Sequence, residues 1–147
     1  MSSKHPKRKD RPGVDRYGRT PLHYAAADGN VEQVRALIAS GSNPGATDDD
    51  GWTPLHLATQ ANSASAAAVL LDAGAPVDAR DANGNTPLFR AVFESRGIGD
   101  LIRLLRARGA DPRAVNIHGV SPVSLARTIG NFNVHQLFED LPEESNG

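Results

Sequence analysis

The pattern that decides the fold reads Gly51-Trp52-Thr53-Pro54-Leu55-His56-Leu57-Ala58. Related stretches, in which glycine, a hydroxyl residue and proline keep the same order, occupy residues 18–25, 84–91 and 119–126. The hydroxyl residues of successive copies are separated by 33, 33 and 35 residues. A register kept over most of the chain predicts an array of stacked structural repeats.

Each copy of this pattern predicts the start of a short α-helix. A threonine or serine hydroxyl can accept hydrogen bonds from the free N–H groups of a first helical turn. The proline that follows is favoured at the first helical position, because it lacks an N–H that would otherwise be unpaired there. We therefore expect helices to begin at Pro21, Pro54, Pro87 and Pro122.

A second apolar segment follows each of these helices and predicts a second helix. Gly29 and Gly130 suit the intervening turn of the first and fourth units, and Asn62 replaces glycine in the second. The third unit is two residues longer than the first two. We place one extra residue before Leu104 and one after it, and we expect a longer inter-helix loop over residues 94–99.

Acidic residues mark the connections between units. Asp15, Asp48 and Asp81 each stand three residues before a glycine, which suits a tight turn at the tip of a hairpin-like loop. Asn116 takes this position in the fourth unit. Because a pair of such short helices cannot bury its own apolar face, its stability must come from stacking on its neighbours.

The period of 33 residues and the Thr-Pro-Leu-His core resemble the ankyrin repeat family. The resemblance implies an all-α fold, an ankyrin repeat solenoid of four helix-turn-helix repeats with β-hairpin-like loops. We place a basic N-terminal tail at residues 1–14 and a C-terminal tail at 142–147, with Pro142 ending the last helix. The repeat domain is expected at residues 15–141, with its repeats at 15–47, 48–80, 81–115 and 116–141.

Composition limits the possible classes of protein. The 147 residues include no cysteine, which excludes disulfides, thiolate metal sites and a thiol nucleophile. No apolar stretch is long enough for a membrane span, and none follows the charged start as in a secretory signal, so we expect a cytoplasmic protein. Residues 1–12 carry five basic side chains and one acidic one, whereas the rest of the chain is acidic.

No pattern of residues predicts catalysis, and we expect no enzyme, no metal site and no cofactor. His23 and His56 recur with the repeat, so we expect them to hold the neighbouring hairpin through hydrogen bonds to its backbone. His5, His118 and His135 show no metal-ligand spacing. No nucleophile elbow or other set of nucleophile, base and orienting group occurs.

The family resemblance implies that a partner binds on the concave side, where the hairpin tips and the ends of the first helices lie. Large aromatic residues stand at three of these positions, and aromatic side chains are enriched in binding hot spots. Trp52 could instead pack across its hairpin. The acidic tip at residues 48–50 favours a basic partner. The candidate partner-binding residues are Tyr17, Arg19, Asp49, Asp50, Trp52, Gln60, Asn83, Asn85, Phe93, Glu94 and His118.

Our leading hypothesis is a non-catalytic protein-binding module that is monomeric on its own. A narrower hypothesis is an immunity or inhibitor protein for a bacterial toxin, since the abundant alanine and the preference for arginine over lysine are typical of a high-GC bacterial genome. The alternative is a nucleic-acid-associated protein that uses its basic N-terminal tail. We favour a protein partner because the acidic body would repel phosphate.

Overall fold

Eight α-helices follow one another in the computed structural model, which describes residues 12–96, 98–130 and 132–142. Those residues form no β-strand, and the prediction of an all-α solenoid is confirmed. Most of both predicted tails, at residues 1–11 and 143–147, lies outside this range, as does His5. The helices are α1 (Pro21–Ala27), α2 (Val31–Ala39), α3 (Pro54–Gln60), α4 (Ala64–Asp72), α5 (Pro87–Glu94), α6 (Asp100–Ala107), α7 (Pro122–Thr128) and α8 (Phe132–Gln136).

The first helix of every pair begins at the predicted proline. In α3 the hydroxyl of Thr53 accepts a hydrogen bond from the backbone N–H of His56 at 3.3 Å, and the His56 ring accepts one from the backbone N–H of Thr53 at 3.1 Å. This reciprocal capping box satisfies two N–H groups that the helix itself cannot pair. It recurs in α1 and α7, whereas in α5 the third residue is Phe89 and only the Thr86 hydroxyl contributes.

The helices stack in two rows. Helices α1, α3, α5 and α7 pack side by side, and α2, α4 and α6 form the second row. Each pair contributes one fully buried apolar residue at the same position, and burying a side chain of this size stabilises the fold by about 2 kcal/mol. These residues are Leu22, Leu55, Leu88 and Val123.

The turn between α3 and α4 confirms the expectation for Asn62. Its φ is 55°, in the left-handed region where asparagine is the most tolerant residue after glycine. The next residue, Ser63, donates its backbone N–H to the carbonyl of Ala58 at 3.0 Å. Asparagine therefore closes this turn without a glycine.

The two additional residues of the third pair both lie in the loop between α5 and α6. The backbone N–H of Ala110 donates to the carbonyl of Leu105 at 3.0 Å, as that of Ala75 does to Leu70 in the second pair. Leu105, and not Leu104, is thus the equivalent of Leu70, and it is fully buried. The prediction of one extra residue after Leu104 is wrong, because two adjacent leucines leave the register ambiguous in sequence.

The longer loop itself is confirmed by the helix bounds. Five residues separate α5 from α6, against three between α1 and α2 and three between α3 and α4. Glu94, which we assigned to the loop, is instead the last residue of α5. Gly97 lies outside the described residues.

The last helix ends earlier than Pro142 predicts. Helix α8 stops at Gln136, and the chain continues in tight turns, in which Leu137, Phe138 and Glu139 each donate a backbone N–H to the carbonyl three residues before. These turns point Phe138 into the core, where it is fully buried. The helix therefore gives way to turns before the proline is reached, and Phe138 is buried within that turn segment.

Candidate protein-binding surface

An aspartate or asparagine side chain at the base of each loop shapes the hairpin tip. Oδ1 of Asp48 accepts hydrogen bonds from the backbone N–H groups of Asp50 and Trp52, both at 2.9 Å. The backbone N–H of Asp48 donates to the carbonyl of Trp52 at 2.8 Å, which closes the loop. The same pattern around Asp15, Asp81 and Asn116 confirms that these residues serve the turns.

Neighbouring tips are hydrogen-bonded to one another. The backbone N–H of Asp49 donates to the carbonyl of Tyr17 at 2.9 Å, and that of Ala82 donates to the carbonyl of Asp50 at 2.9 Å. Ile117 donates in the same way to Asn83 at 3.0 Å. These bonds fix the spacing between successive tips, so the residues that they carry form one continuous, preordered surface.

The two repeated histidines connect α1 and α3 to the tips that follow them, as predicted. Nε2 of His23 lies 2.9 Å from the carbonyl oxygen of Trp52, and Nε2 of His56 lies 2.9 Å from that of Asn85. Because Nδ1 of each ring accepts a backbone N–H, the proton of the neutral ring resides on Nε2, which donates. Burial lowers the pKa of both rings below the ordinary histidine value.

Most of the predicted partner-binding residues are exposed, either on the tips or at the ends of the first helices. Phe93, at the end of α5, is 60 % exposed. Three other predicted residues are only partly exposed, namely Arg19, Trp52 and Glu94. The exposed set is Tyr17, Asp49, Asp50, Gln60, Asn83, Phe93 and His118.

Asn85 lies inside the stack, with 9 % of its surface exposed. Its side-chain oxygen accepts a hydrogen bond from Nδ2 of Asn116 at 2.9 Å, and its backbone carbonyl faces His56. The amide therefore joins the third tip to the fourth, and we leave Asn85 out of the proposed surface.

Arg19 is also engaged within the protein. Its Nε lies 3.1 Å from Oδ2 of Asp48, whose side chain is almost completely buried, and its guanidinium lies over the rings of Tyr17 and Tyr24. Tyr24 in turn is hydrogen-bonded to Asp15. Arg19 thus fastens the first tip to the second and presents only part of its side chain to a partner.

Arg90 is the surface residue that sequence reasoning missed. Its guanidinium lies 4.9 Å from the ring centroid of Trp52 and 5.2 Å from that of Phe93, and its Nη2 lies 2.9 Å from Glu94. The available signal was the spacing, since Phe93 and Glu94 follow Arg90 by three and four residues and share its side of the helix. We call Trp52, Arg90, Phe93 and Glu94 the arginine stack.

A concave feature lies at the first pair. An open depression of about 450 Å³ is lined in part by Val14, Arg19, Pro21 and Tyr24. Pro21 and Tyr24 are exposed, whereas Pro54 and Leu57, their equivalents in the second pair, are buried. The depression therefore marks the side of α1 that no preceding pair covers within the described residues.

Two features of other functional classes, a cluster of metal ligands and a membrane-spanning helix, are absent from the described part of the chain. Its histidines and carboxylates form no group of three or more that could hold a metal ion. None of its helices has the length and the apolar character that crossing a membrane requires.

Stacked helix pairs, joined by hydrogen-bonded tips, define the class of repeat proteins that present a rigid, continuous surface. The chain belongs to the ankyrin repeat family: the sequence model described as ankyrin repeats (3 copies) matches residues 22–116, more than half of the chain. Helices α7 and α8 follow the matched range. Among curated proteins, no sequence matches this one. Ankyrin repeats are in general protein–protein interaction modules and typically non-enzymatic.

Proposed function

We propose that residues 15–141 form a non-catalytic module that binds a partner protein through its hairpin tips and the exposed ends of its first helices. The observation that carries this proposal is the row of hydrogen bonds between the tips of successive pairs. A surface ordered before binding loses little conformational entropy when a partner docks, so more of the contact energy appears as affinity. The free protein is proposed to be a cytoplasmic monomer.

The chemistry of the tips supports a basic partner. Asp49 and Asp50 are adjacent and exposed on the second tip, while the nearby Asp48 is buried and paired with Arg19. Exposed carboxylates attract a positively charged surface over about 8–10 Å at physiological ionic strength. A basic toxin, such as a nuclease that this protein would inhibit as an immunity protein, is the narrower form of the proposal.

The test is affinity capture from an extract of the native host, followed by mass spectrometry. We expect the Asp49→Asn/Asp50→Asn variant to lose a partner that the native protein retains. The matched control is Glu32→Gln/Asp100→Asn, which removes two exposed carboxylates from second helices and should keep the partner. Equal capture by all three proteins would contradict the proposed surface.

The basic segment at residues 1–12 supports a second candidate, binding of nucleic acid. Its five basic side chains could neutralise phosphates, which would make binding strongly dependent on salt. Deleting residues 1–12 should then abolish the retention of labelled DNA or RNA in a gel-shift titration. If the native protein retains neither at low salt, this candidate is wrong.

A further inference from the structure

The arginine stack alternates aromatic rings with a guanidinium across two repeats. Trp52 belongs to the tip before α3, whereas Arg90 and Phe93 belong to α5. The guanidinium of Arg90 lies over both rings, at 4.9 Å and 5.2 Å from their centroids. Phe93 nevertheless remains 60 % exposed, so much of its ring faces solvent beyond the contact with Arg90.

The fold does not require a large ring at the position of Phe93. The equivalent residues of the other first helices are small or polar: Ala27, Gln60 and Thr128. The core contribution of α5 comes instead from Leu88, Ala91 and Val92, all of which are buried. Phe93 thus exposes apolar surface without serving the packing of α5, which is typical of a binding anchor.

Arg90 is also unusual for its position. The equivalent residues are Tyr24, Leu57 and Leu125, none of them charged. Its Nη2 is paired with Glu94, but its Nε is buried and has no hydrogen-bond partner among the described residues. A buried N–H without a partner is unfavourable for folding, so stability alone does not account for an arginine here.

We propose that Phe93 and Glu94 bind an arginine side chain of a basic segment in the partner protein. This inference rests on the proposed function and names the chemistry of the partner. The incoming guanidinium would stack on the exposed part of the Phe93 ring and continue the alternation of ring and cation. It would also donate to the Glu94 carboxylate, which can accept several hydrogen bonds in addition to the one from Arg90.

Charge and hydration favour arginine over other side chains. A guanidinium is planar and weakly hydrated, so it loses less hydration free energy than an ammonium does when it stacks on a ring. The positive charge of Arg90 is offset by Glu94 at 2.9 Å, which limits its repulsion of a second cation. Asp49 and Asp50, both exposed on the tip that carries Trp52, add attraction for the basic segment that carries the arginine.

The test uses the full chain and a short acetylated, amidated peptide with arginines in a glycine–serine background. Counterpart peptides carry lysine or leucine at the same positions. Binding is followed by ¹⁵N–¹H NMR, with the indole signal of Trp52, the only tryptophan, as an internal reporter. We expect the arginine peptide to shift the signals of residues 90–94 and to bind about two- to fivefold more tightly than the lysine peptide.

Substitutions distinguish the contribution of the Phe93 ring to binding from that of the Glu94 charge. Phe93→Ala and Phe93→Leu should both abolish the preference for arginine, and Glu94→Gln should weaken the binding of both cationic peptides. The matched control is Ile117→Ala, which removes a side chain that is 66 % exposed on the fourth tip and should change neither affinity. Circular dichroism confirms that each variant is folded.

The proposal would be overturned if the native protein bound the lysine peptide or the leucine peptide as tightly as the arginine peptide. It would also be overturned if both Phe93 variants kept the preference for arginine. Peptide binding that depends on Asp49 and Asp50 but not on Phe93 would overturn this inference and leave the proposed function standing. Failure of the partner capture described above would count against the proposed function itself.

Discussion

His56 joins two repeats through a ring that must remain neutral. Nδ1 accepts the backbone N–H of Thr53 at 3.1 Å, and Nε2 donates to the carbonyl of Asn85 at 2.9 Å. A proton added to Nδ1 would break the first of these bonds and place a charge in a buried position. Burial lowers the pKa of His56 for this reason, and His23 is in the same situation.

The stability of the protein should therefore fall as the pH is lowered from about 8 to about 5. The unfolded chain has histidines of ordinary pKa and takes up protons first, so acid favours unfolding. The stability that the neutral rings contribute is complete above the ordinary pKa and is lost as the pH falls towards the lowered pKa of the folded state. Urea unfolding at a series of pH values measures this loss.

The control for this prediction is the double variant His23→Gln/His56→Gln. Glutamine at the third helical position can still complete a capping box, but it does not titrate. We expect a protein that is less stable at pH 8 and has a flatter pH profile. A slope unchanged from that of the native protein would assign the pH dependence to other groups.

At the scale of one element, the second hairpin tip has little room for additional atoms at Gly51. Gly51 has a φ of 79°, and a Cβ built there would lie 2.8 Å from the backbone nitrogen of Ala82 on the next tip. Gly74, after α4, has a φ of 95° but no atom within 4 Å of the corresponding Cβ. Substitutions at these two glycines therefore distinguish the cost of a left-handed backbone from the cost of crowding between two tips.

We expect Gly74→Ala to lower the free energy of unfolding by about 1–2 kcal/mol, the usual cost of a left-handed conformation. Gly51→Ala should lower it by clearly more, since the tips would also have to move apart. Urea denaturation of the two variants gives the comparison. Equal losses of unfolding free energy in the two variants would mean that the second and third tips can move apart at no cost.

Local signals at this scale could be predicted from sequence, and contacts between repeats could not. Thr53 and Pro54 determine a helix start through bonds within one turn, and Asp48 shapes its own loop, so both were predicted. The stacking of Arg90 on Trp52 joins residues 38 positions apart in different repeats. The burial of Asn85 likewise depends on Asn116 of the next tip.

At the scale of the whole molecule, the segment that follows α8 is held by contacts with α6. Arg106 forms two bonds to the carboxylate of Asp140, at 2.8 and 2.9 Å, and donates to the carbonyl of Leu137 at 2.7 Å. The bonds from Arg106 lower the pKa of Asp140. Helix α8 has only five residues, so these contacts and the burial of Phe138 secure the end of the stack.

Substituting Arg106→Gln should loosen residues 132–142 while leaving α3 and α4 protected. Because Asp140 is largely exposed, we expect only a small loss of local stability, which appears as faster amide hydrogen exchange in that segment. The matched control is Arg103→Gln, whose ion pair with Asp100 lies within α6. Uniform acceleration of exchange across all helices would show instead that the array opens as one unit.

The longer loop between α5 and α6 has a practical consequence for engineering. The loop accommodates two additional residues without disturbing the structure that follows. Gly109 keeps its place after α6, and the fourth tip keeps its hydrogen bond to the third tip. A fluorescent or lanthanide-binding tag inserted after Arg96, which is exposed, would follow Phe93 by three residues, just beyond the end of α5. Such a graft would turn the protein into a sensor that reports docking at the arginine stack.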